Sequence, residues 1–151
     1  MIQLIVTVGR VSAGKAKVIY MIKFDKFIMD DNGPIYAQIV RYVKRGIMAG
    51  NIVDGEEMPS RRVLSSLLGV NPNTIQKAYR ILEDEGIIQS HAGAKSYVNI
   101  DPEMVTKIRV ELMESDVGTI IGALKQSGVS KEEALELIGR LWDDETSPEH
   151  V

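Results

Sequence analysis

The sequence contains no cysteine, which excludes a disulfide framework, thiolate metal sites and a cysteine nucleophile, and nothing points to an oxidising compartment. Histidine is nearly as scarce. His91 and His150 lie in a loop and a tail, without partners at metal-ligand spacing, and no Ser/His/Asp arrangement is visible, so neither a metal nor another cofactor is expected. Aromatic residues make up 5% of the chain, thin for the stacking platforms that hold single-stranded nucleic acid. Tyr79 sits on an apolar helical face and reads as core. No apolar run approaches the length of a bilayer span: Ile2 to Val8 is interrupted by Thr7, followed by Gly9 and Arg10, and has no basic region before it. A cytoplasmic protein with no membrane partner is expected.

Net charge is also small, −3 over 151 residues, but it is unevenly spread. Residues 1 to 33 hold five Lys/Arg against three Asp/Glu, residues 34 to 100 hold eight against six, and residues 101 to 151 hold five against twelve. A mildly basic middle followed by an acidic end can still present a basic face to a polyanion.

One motif invites a nucleotide. Gly9 to Lys15 reads G-x-x-x-x-G-K after an apolar run, the pattern of a phosphate-cradling loop. Ala16, however, stands where such a loop needs a hydroxyl for Mg²⁺. The next stretch, Lys17 to Ile22, is β-branched and aromatic, whereas the phosphates require a helix N-terminus. A nucleotide-binding switch is the alternative this stretch supports, and the plainer expectation is a poorly specified leader over residues 1–20, either a hairpin or a disordered, non-native segment. Met21 is a candidate natural start.

From Pro34 onward the patterning is helical. Pro34 suits the first helical position, and Ile35, Ile39, Val43 and Ile47 repeat at i, i+4 up to Gly50. Ser60 caps a short helix carrying Val63, Leu64, Leu67 and Leu68, ended by Gly69. Asn71-Pro72 opens a helix with Ile75, Ala78, Tyr79 and Leu82 on one face. Two helices joined by such a turn form a helix-turn-helix. Ile87 to Ser90 and Ser96 to Asn99 bracket a loop, His91 to Lys95, as a hairpin. The sum is a winged helix over residues 21–100. Asp101-Pro102 starts a further helix with Val105, Ile108, Leu112, Val117, Ile120 and Leu124 as its stripe. Ser130 to Glu133 forms a capping box before a last helix carrying Ala134, Leu135, Ile138, Leu141 and Trp142. Residues 146–151 read as a frayed tail. The expected fold class is mostly α: an α+β winged helix-turn-helix with a two-helix hairpin over residues 101–145.

The run PIYAQIVRYVKRGIMAGNIVDGEEMPSRRVLSSLLGVNPNTIQKAYRILEDEGII resembles the DNA-binding domain of GntR-type bacterial transcription regulators. P-I-Y-x-Q-I, M-P-S-x-R, G-V-N-P-N-T-I-Q-K-A-Y and E-x-E-G-I-I stand in the family's order and spacing. The short helical end resembles the YtrA subfamily, in which two helices dimerise and no large effector domain is present. The resemblance implies a dimeric repressor on a double-stranded DNA operator, often governing transporter operons. It implies that Arg62 contacts DNA and that Asn71, Asn73, Thr74 and Gln76 open the recognition helix, with Lys77 and Arg80 on or near its exposed side. Gly93 matches the glycine at the wing tip. The family usually has arginines before that glycine and a second glycine after it; His91, Ala92, Ala94 and Lys95 stand here, which leaves His91 and Lys95 to meet phosphates.

The chemistry of these residues fits their positions. Asn and Gln bond an adenine edge in bidentate fashion and Thr adds a hydroxyl and a methyl, so Asn73, Thr74 and Gln76 are expected to read bases, with Asn71 capping. Arg62 and Lys77 are expected on phosphates. The stripe of Val105, Ile108, Leu112, Ile120, Leu124, Leu135, Ile138 and Trp142 is too extensive to stay exposed and is expected to form a homodimer interface. An effector of unknown identity would have to act by shifting the separation of two recognition helices. A third reading is an interaction adaptor that kept the fold without DNA binding.

Overall fold

The computed structural model describes residues 7–9, 17–91 and 95–144. Nine elements occur in order among them: β1 Thr7–Gly9, β2 Lys17–Ile19, α1 Ile35–Met48, α2 Arg61–Leu68, α3 Pro72–Asp84, β3 Ile88–His91, β4 Lys95–Val98, α4 Pro102–Gln126 and α5 Lys131–Trp142. They fall into two units, one ending at Val110 and the other beginning at Glu111.

β1 and β2 pair antiparallel, Thr7 with Ile19 and Gly9 with Lys17. Residues 10–16, most of the G-x-x-x-x-G-K stretch, lie outside the described residues. Lys17–Ile19, immediately beyond it, is nevertheless a strand, and the first described helix opens only at Ile35. The helix N-terminus that a phosphate-binding loop requires directly after Lys15 is therefore absent from the described residues.

In the first unit, α1 buries Ile39, Val40, Val43 and Ile47 along one stripe. Pro34 caps α1 from an extended conformation, φ −63° and ψ 139°, one position before the place expected of it. Gln38 ties the preceding turn to the helix: its Nε2 donates to the carbonyls of Asp30 and Gly33, and its Oε1 accepts from the Asp30 amide at 3.0 Å. At the far end the Asn51 and Ile52 amides both donate to the Gly46 carbonyl, at 2.8 and 3.0 Å. Ile52 folds back over Gly46 so closely that a Cβ there would meet Ile52 Cδ1 at 2.5 Å.

Ser60 caps α2, accepting from the Val63 amide at 3.1 Å, and Gly69 ends it at φ 64°. Asn71 caps α3, accepting from the Asn73 amide at 2.8 Å, with Pro72 in the first turn. The turn between them is fixed from below by Ser65, whose hydroxyl donates to the Val70 carbonyl at 2.7 Å while its own carbonyl accepts from the Val70 amide. α3 buries Ile75, Ala78, Tyr79 and Leu82.

The wing is the antiparallel pair β3 and β4, in register Ile88 with Val98 and His91 with Lys95. Its sheet is broader than the hairpin legible in the sequence. Glu57 bridges to Tyr97 on one side and to Met21 on the other, with Ile22 donating to the Glu57 carbonyl and Glu57 to the Tyr20 carbonyl, each at 2.9 Å. Ile22 and Phe24 are buried. Phe24, Phe27 and Tyr42 then stack in a small aromatic cluster with ring centroids 5.0 to 6.1 Å apart.

α4 begins in the first unit and continues into the second. Ile108 is 1% exposed and Leu112 5%. The apolar stripe places both on the dimer face, whereas both are buried within the single chain. In the second unit the turn at Gly128, φ 73°, separates α4 from α5, and the Ser130 capping box forms with Glu133. The Ser130 bonds to the Glu133 carboxylate hold its pKa below the ordinary carboxylate value. α5 has no buried residue and Trp142 is 84% exposed, so the two helices of the expected hairpin leave most of their apolar side chains uncovered in the second unit.

Candidate nucleic-acid interface

The amphipathic division of α3 determines what it offers to solvent. With Ile75, Ala78, Tyr79 and Leu82 turned inward, Asn73, Gln76, Lys77 and Arg80 are exposed on the opposite side and Thr74 is half-buried beside them. Asn71 is exposed at the cap, with its side-chain oxygen used by the Asn73 amide. Short amides and a hydroxyl at the N-terminal turn, with cations one turn on, are the chemistry by which a helix entering the major groove bonds base edges and flanking phosphates.

The Arg61-Arg62 pair divides its labour. Arg62 is exposed, while Arg61 points back to Glu83, its Nη2 donating to Oε1 at 3.1 Å, and lies with its guanidinium 5.1 Å from the centroid of the Tyr79 ring. Glu83 also accepts from the Ser90 hydroxyl, and Ser90 is 2.9 Å from the hydroxyl of Ser96. Arg61 is thus part of a polar clasp that joins α2, α3 and the base of the wing. Beneath it the Tyr79 hydroxyl donates to the Pro59 carbonyl. Burial pushes the Tyr79 pKa well above its ordinary value, against the smaller opposing pull of Arg61.

On the wing, His91 and Lys95 are exposed and paired in register, and the His91 ring lies 5.5 Å from that of Tyr97. Lys95 has an anionic partner: its ammonium is 3.0 Å from Glu57 Oε1 and 3.2 Å from Oε2. The bond to Glu57 raises the Lys95 pKa above its ordinary value. Gly93 lies outside the described residues. Lys77 is held differently, with its ammonium 3.8 Å over the centroid of the Tyr36 ring.

Three participants escape the sequence: Arg61 as clasp, Glu57 as the partner of Lys95, and Tyr36 beneath Lys77. Each pairing joins residues at least 22 positions apart, and periodicity reports only the face of a residue's own element. Of the residues assigned to the dimer face, Ile120, Leu135, Ile138 and Trp142 are exposed, Val105 and Leu124 are half-buried, and Ile108 and Leu112 are buried. No helix among the described residues is long and apolar enough to cross a membrane, and no group of metal-ligating side chains occurs among them.

A helix-turn-helix with an exposed polar recognition face and a two-stranded wing behind it defines a winged-helix DNA-binding protein. Residues 35–98 match the family described as bacterial regulatory proteins, gntR family. The HTH-type transcriptional regulator YhcF of Bacillus subtilis (strain 168) is 30% identical over 103 residues, 68% of this chain and 85% of its own. The HTH-type transcriptional repressor YtrA of the same organism is 30% identical over 112 residues, covering 74% and 86%. A solved GntR family transcriptional regulator from Listeria monocytogenes superposes with a TM-score of 0.64 at 31% identity, covering 74% of this chain and 98% of that one. The chain belongs to the GntR family, as a YtrA-like DNA-binding transcription regulator and not an enzyme.

Proposed function

We propose that the protein is a dimeric repressor that binds a near-palindromic operator, with Asn73, Thr74 and Gln76 reading bases and Arg62, Lys77 and Arg80 on phosphates. The observation that carries this reading is the exposed face of α3, where Asn73, Gln76, Lys77 and Arg80 stand clear of the core that holds the helix in place. Dimerisation is assigned to the apolar side chains left exposed beyond residue 110: Ile120, Leu135, Ile138 and Trp142, joined by Met113, Val117 and Ile121. The repressor role is taken from the similarity to YtrA of Bacillus subtilis, a transcriptional repressor. A cytoplasmic location follows from DNA as the partner. A small-molecule effector acts in this scheme only through differential affinity for dimers with different spacing of their recognition helices.

Fluorescence anisotropy with operator and random duplexes tests the base-reading assignment. Gln76→Ala is expected to cost about 1 to 3 kcal/mol on the operator and to leave random DNA almost untouched. Equal losses on both duplexes would remove this face from base reading.

A further inference from the structure

Lys77 and Lys95 flank the same interface and are held by opposite kinds of partner. Lys95 is met by a carboxylate, which answers its charge. Lys77 is met by the face of a neutral ring at 3.8 Å, which attracts a cation through its quadrupole and leaves the net positive charge in place. That ring belongs to Tyr36, half-buried in the first turn of α1. Lys77 itself remains exposed on α3.

We propose that Tyr36 is a positioning residue for DNA binding, its ring holding the Lys77 ammonium in one place, charge intact, beside the base-facing side of α3. A lysine carries a long, flexible stem to a phosphate, and ordering such a side chain opposes association. A ring under the ammonium restricts that freedom before DNA arrives. The ring occupies one side of the ammonium, which has three donors and so keeps others for an approaching phosphate oxygen. Because contacts at exposed sites of this kind are weak, the ring orders the ammonium without outcompeting a phosphate. The proposal rests on the reading that Lys77 meets a phosphate, and its test separates the two.

The experiment uses the full chain and a random-sequence duplex at several salt concentrations, with Lys77→Met, Tyr36→Phe, Tyr36→Leu and the Tyr36→Leu/Lys77→Met double variant. Lys77→Met is expected to flatten the salt slope by about one unit. Tyr36→Leu is expected to weaken binding about three- to tenfold with the slope unchanged, since the ammonium is still present but no longer ordered. Tyr36→Phe, which keeps the ring, is expected to bind within about twofold of the wild type. In the Lys77→Met background, Tyr36→Leu should have no further effect. NMR of the free protein supplies a readout independent of DNA: the Lys77 ε-methylene protons should lie upfield in the wild type and in Tyr36→Phe, and return to exposed-lysine positions in Tyr36→Leu. Loss of that upfield shift with binding unchanged or tightened overturns the proposal, as does a Tyr36→Leu effect of equal size when Lys77 is already gone. An unchanged slope in Lys77→Met instead overturns the phosphate reading itself, and the positioning role falls with it.

Discussion

Arg61 and Arg62 are adjacent in sequence and opposite in use. Both are cations at the start of α2, and nothing local distinguishes them; only the fold, by bringing Glu83 and Tyr79 up to the first and solvent to the second, assigns one to the clasp and one to the surface. Arg61→Ala is expected to destabilise the protein by about 1 to 3 kcal/mol in urea denaturation, because Glu83 keeps Ser90 but loses its cationic partner in a partly buried site. Arg62→Ala should leave stability within about 0.5 kcal/mol of the wild type while flattening the salt slope of DNA binding by about one unit. Tyr79 was legible as core from its helical face, but its bond to Pro59 was not. Its folded pKa is raised by burial, so the neutral phenol's contribution is complete below the ordinary tyrosine pKa near 10 and is lost as pH rises above that. Wild-type stability should therefore fall with pH beyond about 10 more steeply than that of Tyr79→Phe. Parallel slopes in chemical denaturation at alkaline pH would contradict this account of the residue.

The elements themselves were largely readable, because their boundaries rest on local chemistry. Ser60, Asn71 and Ser130 cap the helices where the sequence puts them, and Gly69 ends α2 in the left-handed conformation that glycine adopts without a Cβ penalty. The wing strands came out within one residue of their expected bounds. Local patterning could not supply the pairing between distant segments: the strand-like passage through Met21 and Ile22 joins the wing sheet through Glu57, and no periodicity announces it. The same holds for Gly46, a glycine inside the α1 pattern that is the seat of Ile52. Gly46→Ala would raise helix propensity, yet it thrusts a methyl into a buried isoleucine. The overpacking outweighs the propensity gain, for a net loss of about 1 to 2 kcal/mol measured by thermal or urea unfolding.

For the molecule as a whole, the winged helix and the helices beyond Val110 differ in how complete they are. The first unit closes its own core, with Ile39, Leu64, Ile75, Leu82 and Ile87 nearly inaccessible and Ile108 of α4 buried as well. The sequence stripe groups Ile108 and Leu112 with residues that stay exposed, because a helix's apolar positions report that they are buried and not against which surface; a truncation after Asn99 would strip Ile108 from that core. The second unit leaves Ile120, Ile121, Leu135, Ile138, Leu141 and Trp142 exposed, consistent with the proposed second copy. A two-fold dimer presents two identical recognition helices, and its target inherits that symmetry. The most direct test is selection of bound sequences from random duplexes by the full chain. The account predicts enrichment of an inverted repeat whose half-sites are centred about 10 bp apart or a multiple of it. Enrichment of a single half-site without a symmetric mate, or no enrichment above the starting pool, would contradict it.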